Sequence, residues 1–246
     1  MIALITGGTS GIGLAIAKIL NQRQYEIYIV GSREEFSLEE FSNAHYFRCN
    51  LADDKEVDRL LEAFKDINID VFIDNAGFGD IGTFLETSDQ KEMQMIDVNI
   101  KAMHRTLKFF VNKMYAQGSG RILVTSSLAA FSSSGYMSTY YATKVYSLHL
   151  SLGYRRELKD KKSPVTISVL CPGPVATGFE KTANVKFSIK PVSKEKVAKV
   201  AVKKLFKGKA IIIPTFKFKF LAFMSHFSSK LLSNYIVSKT ARKRRK

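Results

Sequence analysis

The chain has 246 residues, of which 38 are Lys or Arg and 22 are Asp or Glu, for a formal net charge of +16. Its hydrophobic fraction of 46% and modest Gly and Pro content exclude a disordered or fibrous protein, and the length is typical of one large α/β domain. The two cysteines lack a CxxC spacing, which excludes a disulfide framework or zinc motif and favours a reducing compartment.

The basic residues are concentrated near the C-terminus. Residues 1–195 contain 23 basic and 22 acidic side chains, whereas residues 196–246 contain 15 basic and no acidic ones. An electrostatic partner is therefore expected at this end. We find no apolar run long enough for a membrane-spanning helix and no signal-peptide pattern in MIALITGG. A cytoplasmic protein is expected, with peripheral contact at the inner membrane face as an alternative.

Apolar runs alternate with helical patterns along residues 1–215. In chain order the predicted elements are strand IALIT, helix IGLAIAKILNQ, strands EIYIV and AHYFRC, helix DDKEVDRLLEAFKD, strand DVFIDNAG, a helix over about 88–115, strand RILVTSS, a helix over about 140–159, strand VTISVLCPG, helix SKEKVAKVAVKKLF and strand AIIIP. The strands are apolar on both sides, which predicts an α/β, doubly wound, seven-stranded parallel sheet with helices on both faces. Residues 1–215 are assigned to this single domain and residues 216–246 to a basic amphipathic extension.

A glycine-rich turn, LITGGTSGIG, joins the first strand to its helix. Gly7, Gly11 and Gly13 permit a tight turn and close approach of the backbone to a pyrophosphate, which the free N–H groups at the helix start attract. A surface turn that happens to hold three glycines is the alternative. The strand–turn–helix setting favours a Rossmann-like dinucleotide site.

The residues after the second strand bear on the choice of cofactor. Gly31, Ser32 and Arg33 offer no carboxylate for a ribose 2′-hydroxyl, whereas a hydroxyl and a guanidinium suit a 2′-phosphate. We therefore expect NADP. The alternative is a solvated Arg33 drawn towards Glu34 or Glu35, which leaves NAD possible.

Six motifs in order resemble those of the short-chain dehydrogenase/reductase family. They are TGGTSGIG for TGxxxGxG, DNAG at residues 74–77 for NNAG, DVNI with Asn99 at the position of the family's helix-kinking asparagine, VTSS, YYATK for YxxxK, and CPGPVAT with its PG pair and Thr177. One such motif is weak evidence, but six in order over residues 1 to about 215 are highly specific. The resemblance implies a Rossmann-type domain and an NAD(P)-dependent oxidoreductase acting on a carbonyl or secondary alcohol.

The stretch YYATK contains two candidate tyrosines. Tyr140 lies four and Tyr141 three residues before Lys144, and the helical period favours Tyr140 only slightly. The family motif requires the spacing of four, so the resemblance assigns the catalytic role to Tyr140. It also assigns the catalytic serine to Ser127, thirteen positions earlier, rather than to Ser126. Tyr141 is expected to pack on another face.

The resemblance implies four catalytic residues. Tyr140 would donate a proton to the substrate carbonyl oxygen as hydride arrives from the nicotinamide, and Ser127 would hydrogen-bond the same oxygen. Lys144 would lower the pKa of the phenol, whose ordinary value is about 10, and bind the nicotinamide ribose. Asn99 would hold a water that links the lysine to solvent. Taken singly, each has a structural alternative, such as a cap or turn for Ser127.

The resemblance also implies a cofactor-binding set. It comprises Gly7, Thr9, Ser10, Gly11, Ile12, Gly13, Ser32, Arg33, Asn50, Leu51, Asn75, Ala76, Gly77, Tyr140, Lys144, Pro172, Gly173, Val175 and Thr177. Two departures stand out. Asp74 replaces an asparagine that ties strands together, and a carboxylate cannot donate those hydrogen bonds unless protonated. Asn50-Leu51 replaces the usual acid–aliphatic pair. The four histidines, His45, His104, His149 and His226, lack ligand spacing, so no metal site is expected.

The segments 128–140 and 179–189, with Phe78 and Phe84, are predicted to form an apolar mouth over the nicotinamide. We therefore expect an apolar ketone or its alcohol as substrate, for which a lipid-like chain is one candidate, with ordinary loop packing as the alternative for these residues. A homodimer or homotetramer formed through the two long helices is also expected from the resemblance. The rival functions are a non-catalytic dinucleotide sensor or membrane scaffold, and a sugar-nucleotide epimerase, which the glycine spacing disfavours.

The last part of the chain is predicted to form an amphipathic helix. Phe220, Phe223, Phe227, Leu231 and Tyr235 fall at helical spacing, with lysines and serines between them. Such a helix would dock on the body or a second subunit, cover the active-site mouth, or lie on an anionic membrane. The terminal ARKRRK would strengthen contact with acidic lipid. Contact with nucleic acid would be non-specific, and specific binding is not expected.

Overall fold

The computed structural model describes residues 1–185, 187, 190–225, 227 and 229–243. Its strands are β1 (Ile2–Thr6), β2 (Glu26–Gly31), β3 (Ala44–Arg48), β4 (Val71–Asp74), β5 (Arg121–Thr125), β6 (Thr166–Leu170), β7 (Val175–Ala176), β8 (Val192–Ser193) and β9 (Ile211–Ile212). Seven of them form one parallel sheet in the order β3-β2-β1-β4-β5-β6-β9, and β7 pairs with β8. The predicted seven-stranded parallel sheet is confirmed.

The helices cover both faces of this sheet. They are α1 (Gly11–Asn21), α2 (Asp54–Ala63), α3 (Asp89–Ile96), α4 (Met103–Gln117), α5 (Ser138–Asp160), α6 (Phe179–Thr182), α7 (Lys194–Leu205), α8 (Phe216–Ser225) and α9 (Lys230–Arg242), with a π-helical segment at Asp97–Ala102 and a 3₁₀ turn at Leu128–Phe131.

Two layers of buried side chains explain why the strands are apolar on both sides. On one face, Ile5 of β1 packs with residues of α1 and α7. On the other face, the adjacent Leu4 packs with residues of α2, α4 and α5. Successive side chains of a strand point to opposite faces, so each buried strand supplies both layers. The doubly wound Rossmann-like arrangement follows from this pattern.

The helix predicted over about 88–115 is not one continuous α-helix. α3 and α4 are joined by the π-helical segment, and Asn99 lies within it. The sequence period of an apolar face does not reveal one widened turn, so only the helix-kinking asparagine that the resemblance places at Asn99 pointed to an interruption. Widened turns of this kind often occur at functional sites.

The predicted single C-terminal helix is wrong. Two helices, α8 and α9, are present, and Phe227 lies between them. Ser229 caps the start of α9 by accepting a hydrogen bond from the Leu232 N–H at 3.2 Å. The side chains that the helical spacing singled out are exposed, whereas Phe218 and Ala222 of α8 are buried.

No helix among the described residues is both long enough and apolar enough to span a bilayer. Parts of some predictions lie outside the described residues. These parts are His226, residues Lys186, Ser188 and Ile189 of the substrate segment, and positions 244–246 of ARKRRK.

Candidate active site

A cavity of about 920 Å³ lies where β1, β4, β5 and β6 end. The carboxyl ends of parallel strands meet at one edge of an open α/β sheet, and such an edge is where ligands bind. The sequence-predicted residues that line it are Gly7, Ser10, Gly11, Ile12, Arg33, Asn75, Ala76, Gly77, Ser127, Tyr140, Lys144, Pro172, Gly173, Val175 and Thr177.

Six predicted residues do not line this cavity: Thr9, Gly13, Ser32, Asn50, Leu51 and Asn99. Thr9 packs against Gly31, where an added Cβ would lie 2.6 Å from the Thr9 methyl group. The Asn50 side chain accepts a hydrogen bond from the Ala52 N–H at 3.1 Å, within its own turn. Thr9 and Asn50 therefore support the surrounding loops.

The glycine turn brings the start of α1 close to the sheet. A Cβ on Gly13 would lie 2.3 Å from the Gly7 carbonyl oxygen, and one on Gly7 would lie 2.9 Å from the Ala76 Cα. Gly7 also has a positive φ of 62°, which strongly favours glycine. Side chains at these positions would push the helix away from the strand ends.

The N-terminus of α1 is suited to an anion. The Ser10 side chain makes no capping hydrogen bond, and the first turn carries no acidic residue. Ser10, Gly11 and Ile12 line the cavity, so the backbone N–H groups and the positive end of the helix dipole face it. These residues fit a phosphate group of a dinucleotide.

Asn75 ties three strand ends together. Its Nδ2 donates to the carbonyl oxygens of Thr6 and Gly7, at 3.3 and 3.2 Å, and its Oδ1 accepts from Thr125 Oγ1 at 3.1 Å. Asn75, the second residue of DNAG, therefore makes the hydrogen bonds between strands that the resemblance assigns to an asparagine at position 74.

Asp74 uses its carboxylate as a buried acceptor. Thr6 Oγ1 donates to one oxygen at 3.1 Å, and Thr106 Oγ1 of α4 lies 2.9 Å from the other. Burial raises the pKa of Asp74 to about 7, although both hydroxyls and the charge of Lys144 act in the opposite direction. The substitution thus preserves a link between β4, β1 and α4 but adds a titratable group behind the cavity.

Arg33 is exposed and contributes to the cavity wall. The Tyr46 hydroxyl lies 3.0 Å from the Gly31 carbonyl oxygen and 2.5 Å from that of Arg33, which fixes the loop after β2. The Glu34 carboxylate pairs with Arg48 at 2.8 Å. Within the described residues Arg33 forms no ion pair, so the alternative in which Glu34 draws it away is not observed.

Tyr140 and Lys144 lie one turn apart on α5 and are both buried. Lys144 Nζ is 5.8 Å from the centre of the Tyr140 ring and donates to the Thr125 carbonyl oxygen at 3.2 Å. Burial raises the pKa of Tyr140 to about 12, opposed by hydrogen bonding with Ser127. The expected lowering of the phenol pKa is therefore not seen, because desolvation by burial is the largest influence on this hydroxyl.

Burial also controls Lys144. It lowers the pKa of Lys144 to about 8, with Asp74 and Cys171 acting in the opposite direction. The space for this ammonium depends on Gly77, since a Cβ there would lie 3.1 Å from Nζ and 2.9 Å from Asn99 Oδ1. The ammonium thus lies between Gly77 and the end of β5, where it donates to the Thr125 carbonyl oxygen.

The two serines after β5 have different partners. Ser126 is buried, and its Oγ donates to the Lys144 carbonyl oxygen at 2.8 Å, which anchors α5. Ser127 caps the 3₁₀ turn by accepting from the Ala129 N–H at 3.1 Å. Ser127 also hydrogen-bonds with the Tyr140 hydroxyl. It therefore both caps the turn, as the structural alternative expected, and contacts the phenol.

Asn99 is buried behind the cavity wall. Its Oδ1 accepts from the Phe78 N–H at 3.1 Å, and its Nδ2 donates to the Phe78 carbonyl oxygen at 2.8 Å and to Thr143 Oγ1 at 3.1 Å. Through these bonds the π-helical segment holds the backbone at Phe78, directly after the DNAG motif, and the turn of α5 that contains Thr143. Sequence reasoning did not identify Thr143 as a partner.

The remainder of the cavity wall is mostly apolar. The body contributes Phe78, Leu128, Ala129, Phe131, Met137, Phe179, Val185 and Phe187. α8 and α9 contribute Phe218, Leu221, Ala222, Met224, Ile236 and Val237, none of which the sequence analysis identified. Phe84, predicted at the mouth, is 89% exposed and does not line the cavity. Tyr141 is half-buried beside Tyr140, with ring centres 6.1 Å apart.

A glycine turn suited to an anion at one end of the cavity and a buried tyrosine–lysine pair at the other are typical of an NAD(P)-binding α/β oxidoreductase. The family model described as short chain dehydrogenase matches residues 1–186. The chain therefore belongs to the short-chain dehydrogenase family, and the resemblance drawn from the six motifs is confirmed.

Comparisons with individual proteins agree with this assignment. Over 189 residues the chain is 30% identical to the 3-oxoacyl-(acyl-carrier-protein) reductase of Rickettsia prowazekii, covering 75% of this chain and 76% of the relative. A short-chain dehydrogenase from Sphingobium yanoikuyae in complex with NADPH has a TM-score of 0.82 at 21% identity, covering 92% and 93% of the two chains. A relative from Burkholderia phymatum in complex with NAD has a TM-score of 0.83 at 20% identity, covering 95% of each. These two structures share the fold, and a nicotinamide cofactor is supported without a preference between the two forms.

Proposed function

We propose that the chain is an NADPH-preferring reductase of apolar ketones, also able to oxidise the corresponding secondary alcohols. The observation that carries the proposal is the convergence of Ser127, Tyr140 and Lys144 on one cavity that begins at the uncapped N-terminus of α1. A non-catalytic sensor would not need a buried phenol and ammonium at the substrate end, since burying both costs free energy.

The residues that line the cavity offer contacts for the cofactor. The glycine turn and the N–H groups of α1 would hold the pyrophosphate, and Arg33 would face the 2′-phosphate of NADP. Asn75, Ala76 and Gly77 would line one side, and Pro172, Gly173, Val175 and Thr177 the other. The bound nicotinamide supplies the hydride.

Tyr140 is the proposed proton donor. With a pKa raised to about 12 by burial, its phenol is protonated at neutral pH and can donate to a carbonyl oxygen that gains negative charge during reduction. Ser127 would donate a second hydrogen bond to the same oxygen. Two donors aimed at the developing charge stabilise the transition state more than the neutral ketone.

Lys144 is proposed to stabilise the phenolate that remains. Its pKa of about 8 keeps it largely protonated at neutral pH, and its ammonium lies one helical turn from the phenol. It would also bind the nicotinamide ribose. Asn99 is proposed as a positioning residue, because its hydrogen bonds to Phe78 and Thr143 fix both sides of this lysine.

The apolar wall supports the choice of substrate. Most side chains beyond Tyr140 are aromatic or aliphatic, and an apolar wall gains free energy by burying an apolar substrate. A panel of carbonyl compounds monitored by NADPH absorbance tests the proposal. We expect kcat/KM to rise with apolar chain length, and a preference for small polar carbonyls would reject it.

Family members commonly act as oligomers, and we propose a dimer or tetramer formed through α4 and α5. Light scattering at several concentrations measures the assembly directly. A monomer at all concentrations would contradict this part of the proposal without affecting the chemistry.

A further inference from the structure

Large apolar side chains are exposed together on α8, α9 and the turn between them. Ten such residues, each at least 44% exposed, are Phe216, Phe220, Leu221, Phe223, Met224, Phe227, Leu231, Leu232, Tyr235 and Ile236. We call this set the tail face. Scattered exposed apolar residues are ordinary, but a concentration in about twenty consecutive residues marks an interaction surface.

The tail face is held on the body in a defined position. The ring of Phe218 packs on the backbone at Gly173, where an added Cβ would lie 2.4 Å from it. In α9, Asn234 Nδ2 donates to Ser133 Oγ at 3.0 Å, and Ser238 Oγ accepts from the Gly135 N–H at 2.7 Å. The exposed residues are therefore what remains after α8 and α9 have packed on the body.

The charge around the tail face has one sign. Residues 196–246 contain 15 basic and no acidic residues. Lys217, Lys219, Lys230 and Lys239 are exposed, and among the described residues none of them forms an ion pair within 4.0 Å. Lys219 lies beside Lys204, and this proximity contributes to lowering the Lys204 pKa after burial. Such a surface attracts an anionic partner.

The tail face is also the outer wall of the catalytic cavity. Leu221 and Met224 of α8 and Ile236 of α9 are 47%, 44% and 54% exposed and at the same time line the cavity. An apolar substrate could therefore enter the cavity between these side chains without leaving apolar surroundings. Entry from water would be less favourable, because an apolar molecule is less stable in water.

We propose that the tail face docks on an anionic lipid bilayer and that the cavity opens into this docked face. The aromatic and aliphatic side chains insert at the level of the acyl chains, and the lysines contact acidic headgroups, as in interfacial helices. The substrate is a long-chain carbonyl or alcohol dissolved in the membrane. This substrate class rests on the proposed function, whereas the docking does not.

A second copy of this chain is a poorer partner for the same face. Two copies packed through their tail faces would bring together two segments that each carry 15 basic and no acidic residues. Like charges at close range destabilise an interface. A bilayer with acidic headgroups satisfies both the apolar side chains and the lysines.

The full chain is floated with phosphatidylcholine vesicles that contain either no anionic lipid or about one third phosphatidylglycerol. We expect binding to the anionic vesicles at low salt, weakened at high salt because screening shortens the reach of the lysines. The variant F220S/F223S/Y235S should reduce the bound fraction at least about tenfold, since each residue supplies apolar area to the interface. None of the three lines the cavity.

Two matched controls separate this docking from a general loss of apolar or basic surface. L85S/M93S/Y115S removes three exposed apolar side chains from the body and should bind like the wild type. K217E/K239E on the tail should abolish binding, whereas K55E/K159E, with the same change in net charge, should retain most of it. Wild-type protein that stays unbound at low salt, or body and tail variants that behave alike, would overturn the proposal.

Turnover distinguishes docking from chemistry. F220S/F223S/Y235S should reduce a water-soluble ketone with NADPH at the wild-type rate, but lose at least about tenfold in rate on a long-chain methyl ketone dissolved in anionic vesicles. Equal rates on the vesicle substrate would refute access through the docked face. If no carbonyl is reduced while tail-dependent flotation persists, the proposed function fails and the docking stands. A change of oligomeric state in this variant, without a change in flotation, would assign the face to a second copy.

Discussion

Phe218 of α8 packs on Gly173, the glycine of the PG motif after β6, so closely that a Cβ there would lie 2.4 Å from the ring. This contact joins the C-terminal extension to the strand edge at which the cavity lies. Phe218 is 4% exposed and belongs to the same buried cluster as Ala222, Val169 and Ile213. The extension is thus packed through a contact that only glycine permits.

Replacing Gly173 with alanine should displace α8. The added methyl group overlaps the ring, and overpacking of this kind costs about 1–3 kcal/mol. We expect a lower midpoint of urea unfolding and faster proteolytic cleavage between residues 206 and 230. Gly178→Ala is the control, because a Cβ at Gly178 meets nothing within 4 Å.

A second variant tests whether the cost arises from the Phe218 contact. Phe218→Ala alone should cost about 3–5 kcal/mol through the cavity it leaves, and the double variant should cost less than the two single changes together. Strict additivity, or equal stability of Gly173→Ala and Gly178→Ala, would show that the contact does not hold the extension.

Asp74 should make stability depend on pH. Its pKa rises from 3.8 to about 7 on folding, so the folded chain binds the proton more tightly than the unfolded chain. The stabilisation is complete below about pH 4 and is lost as the pH rises through about 7. Asp74→Asn removes the charge, so its stability relative to the wild type should increase by about 2–3 kcal/mol as the pH rises from about 5 to about 8.

The amide can keep both hydrogen bonds of Asp74. Thr6 would still donate to an oxygen, while Thr106 Oγ1, which lies 2.9 Å from the Ala102 carbonyl oxygen, can donate there and accept from the amide. Urea unfolding at several pH values measures the difference. Asp66→Asn, at an exposed position, is the control. A constant difference between Asp74→Asn and wild type across this range would contradict a buried titrating carboxyl.

The core and most of the site could be predicted because their signals are local. β4 is buried at all four positions, Val71 to Asp74, and a run of apolar residues predicts such a strand directly. The turn at Gly7 and the spacing of Tyr140 and Lys144 are likewise short patterns. These patterns depend on neighbours in sequence, so they are readable without the fold.

The missed features depend on contacts between distant residues. Helical spacing identified Phe220 and Phe223, yet the buried aromatic residue of α8 is Phe218. Its contact with Gly173 decides which side of this almost wholly apolar helix packs on the body. The pKa of Tyr140 was predicted in the wrong direction because desolvation comes from the whole surrounding fold. The π-helical turn at Asn99 shows in its bonds to Phe78, 21 residues earlier.

Tyr140→Phe tests the proposed proton donor against its neighbour. We expect kcat for ketone reduction to fall at least about 100-fold, since the change removes a general acid, while NADPH binding measured by fluorescence is retained. Tyr141→Phe removes the other hydroxyl of the pair and should leave kcat nearly unchanged. If the two variants have similar activity, or if Tyr141→Phe is the slower one, Tyr140 is not the donor.

Arg33 should set the preference for NADPH. A guanidinium facing the 2′-phosphate contributes a charge-assisted contact that NADH cannot make, and losing such a contact costs about 1.5–3 kcal/mol. Arg33→Ala should therefore raise KM for NADPH about 10–100-fold and leave KM for NADH and both kcat values nearly constant. Steady-state kinetics with both cofactors at one ionic strength measures this split, with Arg156→Ala, an exposed arginine paired with Asp160 at 2.7 Å, as the charge-matched control. The Glu34 carboxylate is engaged by Arg48, so Glu34 does not compete for Arg33. An unchanged KM for NADPH would therefore mean that the 2′-phosphate is bound elsewhere or not at all.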